Sequence, residues 1–167
     1  MKKIATIGGL LAACGAANAQ LNTTHFGFSL FDNAGGSGAI TPTEIFVTGG
    51  DIGVMGETKW MGVAPATGTL SFDWAYLSSD SGCFDTGFMA VNGSISTLAC
   101  NTSAPVNGSV VLALNAGDLF DLGVWTADGI FGPGHLEVRK FNFAPIPTPG
   151  SMALLGLGGI LAARRRR

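Results

Sequence analysis

The chain has 167 residues, of which 47% are hydrophobic and only 12% charged. Six of its nine positive charges sit at the two ends, so residues 20–147 hold only Lys59, Arg139 and Lys140 against eleven Asp and Glu, a formal net charge of −8. A body that acidic repels phosphate backbones, which excludes nucleic acid as a partner.

Met1-Lys2-Lys3 is a basic start, residues 4–13 are apolar, and Ala17-Asn18-Ala19 is an A-x-A site. This order predicts a signal peptide over 1–19, cut by signal peptidase between Ala19 and Gln20, and hence export. Leu11-Ala12-Ala13-Cys14 also has the form of a lipobox, which leaves lipidation of Cys14 as a competing fate.

From residue 20 to 144 the pattern predicts one β domain, long enough to bury a real core. Phe26, Phe28 and Leu30 alternate with small or polar residues, as do Leu70, Phe72, Trp74 and Tyr76. Similar period-two runs cover 44–48, 59–63, 84–91, 94–99, 110–114, 119–126 and 136–143. In the last run the apolar phase slips between Val138 and Phe141, as a β-bulge produces. Gly/Asn/Asp/Pro clusters at 32–38, 48–53, 65–68, 101–108, 115–118 and 128–134 read as turns, and Asn92-Gly93 reads as a tight hairpin. The fold class is all-β, a two-sheet antiparallel sandwich with jelly-roll wiring, and Phe72, Trp74, Val91, Leu112, Phe120, Leu122 and Val124 are its expected core. Once Cys14 has left with the signal peptide, Cys83 and Cys100 remain in an exported body, flank the hairpin and are expected to form a disulfide.

The chain ends in residues 145–167, a proline-rich entry, an uncharged apolar stretch from Met152 to Ala163, and Arg164-Arg165-Arg166-Arg167. Twelve helical residues reach only about 18 Å, short of a bilayer core of about 30 Å. The stretch is therefore expected to be a short anchor helix with membrane contact, its arginines on the cytoplasmic side. Pro147-Thr148-Pro149-Gly150-Ser151, the apolar run and the arginine cluster together resemble a PEP-CTERM sorting signal, with Thr148 where that family usually has Glu. The resemblance implies cleavage near the Pro-x-Pro motif by an exosortase and passage from a membrane-associated precursor to the cell surface or extracellular matrix. Gly68 to Phe143 also resembles a β-sandwich recurrent among exported PEP-CTERM-type proteins. The motifs that carry this are Leu70-Ser71-Phe72-Asp73-Trp74-Ala75-Tyr76, Val91-Asn92-Gly93, Ala116-Gly117-Asp118 and Gly132-Pro133-Gly134.

Chemistry-bearing motifs are sparse. His25 and His135 sit in no metal or triad spacing, and no nucleophile elbow or phosphate-cradling loop occurs. A glycosidase would have to take Asp73 with Asp80 or Asp85, nominated by elimination alone, so no catalytic residue is assigned and the protein is not expected to be an enzyme. Asp80, Asp85 and Asp128, with Asp118, fall on predicted strand ends and turns. With loop carbonyls they form the ligand inventory of Ca²⁺, although turn aspartates more often cap their own backbone. Trp60, Trp74 and Trp125 suit either a core or a sugar-stacking platform. Two functions follow: a non-catalytic structural or adhesive surface protein, or a carbohydrate-binding module for a surface polysaccharide, with Ca²⁺ as the candidate bridging ion.

Overall fold

The computed structural model describes residues 20–80, 82–100 and 104–147. Residues 1–19, including Cys14 and Ala19, and residues 148–167, with Thr148, Pro149, Gly150, Ser151 and the arginines, lie outside the described residues. Among those described, no helix is long and apolar enough to cross a membrane.

A single 3₁₀ turn, Thr23–Phe26, precedes ten strands: β1 (Ser29–Asp32), β2 (Ser37–Ile40), β3 (Ile45–Thr48), β4 (Gly56–Val63), β5 (Gly68–Leu77), β6 (Asp85–Val91), β7 (Ser94–Cys100), β8 (Val106–Leu114), β9 (Leu119–Thr126) and β10 (His135–Pro145). They form two antiparallel five-stranded sheets, ordered β1-β4-β9-β6-β7 and β2-β3-β10-β5-β8. From β3 onward the chain crosses between the sheets at every connection except the β6–β7 hairpin, so β3 to β10 make a jelly-roll-like sandwich with β1 and β2 added at one edge.

The sheets are held together by the side chains that the period-two pattern sends inward. Phe72 on β5 meets Phe120 on β9 at 6.1 Å between ring centroids, and Phe26 packs edge-on against Phe141 at 5.1 Å and Phe143 at 5.4 Å. Phe72, Phe120, Leu122 and Val124 are fully buried, whereas Trp74, Val91 and Leu112 are half-buried at the margin of the same cluster. The β6–β7 turn is the expected one: Asn92 and Gly93 both have positive φ, 50° and 81°, which Gly adopts without steric cost and Asn tolerates. At the opposite, open end of the same hairpin, Cys83 and Cys100 are bonded, with Cα atoms 4.8 Å apart.

Three expectations are corrected. Phe26 to Leu30 is not one strand, because the Asn22 side chain accepts from the Thr24 amide (3.2 Å) and hydroxyl (2.6 Å) and winds the segment into the 3₁₀ turn; the strand begins only at Ser29. Ser37–Ile40, read as the end of a glycine-rich turn, is an edge strand on β3. β8 starts at Val106, inside the predicted turn, because its first residues pair with Tyr76 and Ala75 of β5. In each case a pairing partner or cap outside the segment overrides local composition.

The disulfide closes a loop with a sequence separation of 17. Replacing both cysteines with serine is expected to lower unfolding stability by about 3 kcal/mol, read from the urea midpoint, because the open chain gains loop entropy. Wild-type protein treated with reductant should show the same loss.

Candidate functional site

The outer face of the β2-β3-β10-β5-β8 sheet carries a shallow polar groove of about 400 Å³, lined by Asp73 and Ala75 of β5, Asn107 and Ser109 of β8, and Arg139 and Lys140 of β10. It exists because β10 changes phase. Leu136 and Val138 point inward with even numbers, Phe141 and Phe143 with odd ones, and the register against β5 shifts between Arg139 and Asn142. The inserted residue is Lys140, held at φ 53°. Left-handed backbone is unfavourable for a lysine, so the fold holds this residue in place against local preference.

Lys140 and Asp73 pair at 2.7 Å and the Ser109 hydroxyl donates to Asp73 at 2.6 Å. The Lys140 hydrogen bond, followed by that of Ser109, holds the Asp73 carboxyl below its ordinary range. Arg139 grips Glu137 with two hydrogen bonds of 2.6 Å. The groove thus presents fixed donors and acceptors in alternation, and the Asp73 carboxylate stays ionised. A glycoside hydrolase needs one carboxyl kept protonated beside a second, and Asp73 is biased the wrong way for that role.

The aspartates singled out as metal candidates occupy the end of the sandwich where β10 begins. Asp85 is 2% exposed; Ser78 donates to its Oδ2 at 3.0 Å, and the Asp80 amide donates to Ser78 at 3.2 Å. Burial pushes the Asp85 carboxyl up, against the hydrogen bonds from Thr126 and Ser78, and the negative charges of Asp80 and Asp128 push the same way. The three acids are therefore electrostatic neighbours. Yet the Asp128 carboxylate accepts from the Ile130 amide at 3.2 Å, an Asx turn of its own backbone, and among the described residues no group of three or more His, Cys, Asp and Glu is arranged to hold a metal ion.

Above Asp85 lies the buried Tyr76 ring, whose hydroxyl is near Ser78 but has no partner of hydrogen-bond geometry among the described residues. Gly134 closes over both: a Cβ there would meet the Tyr76 hydroxyl at 2.5 Å and the Asp85 Cβ at 3.1 Å. Burial, and then the Asp85 charge, keep this phenol protonated well beyond its usual range.

The tryptophans divide. Trp60 and Trp74 pack at the margin of the core, and the Trp60 indole donates to the Phe46 carbonyl at 3.2 Å. Trp125 is 39% exposed on the outer face of the other sheet. It sits beside Glu57 and Thr86, and that face also carries Phe31, under Lys59 at 5.5 Å from the ring centroid. Lys59 in turn pairs with Glu57 at 2.9 Å and Asp121 at 3.5 Å. His25 caps the 3₁₀ turn, and His135 lies beside the Thr48 hydroxyl, 3.2 Å away, at an exposed strand end.

No protein-family model matches the chain, and no curated protein is similar to it. Among solved structures it is similar to a family 35 carbohydrate-binding module from Clostridium thermocellum, at 20% identity over 71% of this chain and 95% of that one, TM-score 0.38. A second family 35 module, from an environmental isolate, gives 21% identity over 77% and 98%, TM-score 0.38. An arabinose-bound α-L-arabinofuranosidase gives 9% identity and TM-score 0.44, and the chain spans about a quarter of that enzyme's length. At these scores none of the likenesses carries an argument about ligand.

Asp85 generates a pH test. Its carboxyl is raised in the fold above the ordinary value of 3.8, so as pH climbs past about 4 the unfolded chain releases the proton first and the native state alone bears the cost. Asp85→Asn should therefore gain stability relative to wild type as pH is raised from 3.8 toward neutrality, measured as the difference in urea midpoints. A flat difference across that range would show that burial does not disfavour the charge.

Proposed function

We propose that this chain is an exported, non-catalytic surface protein whose jelly-roll sandwich binds a polysaccharide through the groove at Lys140. The observation that carries the reading is the set of Asp73, Asn107, Ser109 and Lys140, four polar side chains of differing donor and acceptor character on a rigid sheet, three of them fixed by mutual hydrogen bonds. Sugar hydroxyls are matched by such preformed polar arrays, which lose little side-chain entropy on binding. The acidic body supports a hydroxyl-rich rather than polyanionic ligand. The two processed ends belong to the same proposal: signal peptidase frees Gln20, and an exosortase acts near Pro147-Thr148-Pro149 and removes Arg164 to Arg167, leaving residues 20–144 as the working domain at the cell surface. An adhesive role for the sandwich follows from polysaccharide binding at that location.

Affinity electrophoresis against a panel of soluble plant and bacterial polysaccharides tests the groove. At least one should retard the protein, and Asp73→Ala should weaken that binding by about tenfold, the scale of one lost charge-assisted hydrogen bond. Lys140→Gly should weaken it as well while leaving the melting temperature unchanged or higher, since glycine relieves the left-handed backbone. If Trp125→Ala abolishes binding and the groove variants do not, the site is the aromatic face of the other sheet; no binding across the panel rejects the carbohydrate reading.

Intact-mass measurement on protein from its native envelope checks the ends. A species beginning at Gln20 and lacking the four arginines is expected, and a lipidated Cys14 or a retained Arg167 defeats the corresponding half.

A further inference from the structure

Where β10 begins, three loops meet and are tied together by hydrogen bonds. Gly53 of the β3–β4 loop donates to the Gly129 carbonyl of the β9–β10 loop at 2.7 Å, the Gly132 amide donates to Asp51 at 3.2 Å, and the Ala127 amide donates to the Phe84 carbonyl of the β5–β6 loop at 2.7 Å. On this braced end stand six exposed large apolar side chains: Ile52, Val54, Met55, Phe84, Ile130 and Phe131. Phe131 is 75% exposed at φ 69°, and Met55 and Ile52 are 64% and 63% exposed. Soluble domains rarely concentrate apolar side chains this way without a partner for them. We propose that this tip is a membrane-docking surface whose occupant is the apolar interior of an uncharged or zwitterionic bilayer leaflet.

Three observations select that occupant. The six side chains come from three separate loops and are 43% to 75% exposed, so a rigid protein partner would need a socket cut to each of them, whereas acyl chains rearrange around any shape. The charges of the two loops that carry most of the apolar residues are Asp51 and Asp128, both accepting backbone hydrogen bonds, with no Lys or Arg in either loop. Such an end has nothing to attract anionic headgroups. The third is the course of the chain: β10 runs from His135 at the tip to Pro145, roughly 33 Å away at 3.3 Å per residue, so the terminal segment leaves from the opposite end. The tip and the point where the chain leaves the domain at Pro145 are thus at opposite ends of β10.

The test uses the full chain with Phe131→Trp, its emission compared with that of the parent, in which Trp60, Trp74 and Trp125 are the background. Phosphatidylcholine vesicles brominated in the acyl chains should quench the added indole about twofold and shift its emission to the blue, as expected for a side chain seated at the headgroup–acyl boundary. Phosphatidylglycerol vesicles should quench it less, and adding Ile52→Ser and Met55→Ser should abolish the effect. Since the terminal segment can bring protein to vesicles by itself, co-sedimentation does not count; an added indole that stays unquenched on sedimented F131W protein overturns the proposal. A blue shift that appears without lipid and grows with protein concentration also overturns it, in favour of tip-to-tip pairing of two copies.

Discussion

Leu136, Val138, Phe141 and Phe143 of β10 must all enter the same core, and this requirement shapes both faces of the sheet that holds them. Strand side chains alternate strictly, so two even and two odd positions can share a face only if one residue is inserted between them. The insertion costs a ladder register and a left-handed lysine, and it secures the two rings that Phe26 packs against. Because the surplus residue turns outward, hydrophobic burial on one face of the sheet shapes the polar groove on the other. Mutation of Phe141 would therefore be felt at Lys140, its chain neighbour, although the two side chains lie on opposite faces.

The charges divide by environment. On the outer faces each of the three cations of the body sits against a carboxylate: Lys140 on Asp73, Arg139 on Glu137, and Lys59 between Glu57 and Asp121. The Lys140 and Arg139 pairs are exposed and contribute little to stability, so their value lies in fixing orientation, whereas Lys59 and its two partners are largely covered. The loop end is different, since Asp85 is buried among hydroxyls with further acids nearby and, among the described residues, no cation paired to it. That arrangement opposes folding at neutral pH and is overcome by the apolar packing beneath it.

Much of the fold was legible because its signals are local. The Asn92-Gly93 turn, the alternation along β5 and β9, and the phase slip in β10 each need only about ten residues to be read, and each corresponds to the pairing seen. The missed pieces depend on partners outside the segment: β2 is a strand because β3 offers a free edge, and the 3₁₀ turn forms because Asn22 reaches Thr24. The candidate site was less legible still. Asp73, Asn107, Ser109 and Lys140 come from three strands whose order is a matter of topology, so no spacing along the chain relates them. The outward phase of Trp125 could have been read from its neighbours, since Leu122 and Val124 fix the inward positions of β9 and place residue 125 opposite.

The placement of apolar residues separates the two ends of the body. Near Pro145 the turns are small and polar, with Asp118 accepting from the Asn92 side chain at 3.0 Å and from the Asn115 amide at 2.7 Å, and the exposed apolar side chains of that end, Val63, Leu119 and Ile146, belong to strand ends and to the chain's exit from β10 rather than to the turns. At the other end a comparable set of turns carries six large apolar side chains over a buried carboxylate. Sandwich stability does not require this asymmetry, because loop-tip side chains at such exposure add almost nothing to the core. Their cost is a standing risk of aggregation, and a feature that is costly and adds no stability is best explained by contact with something outside the molecule.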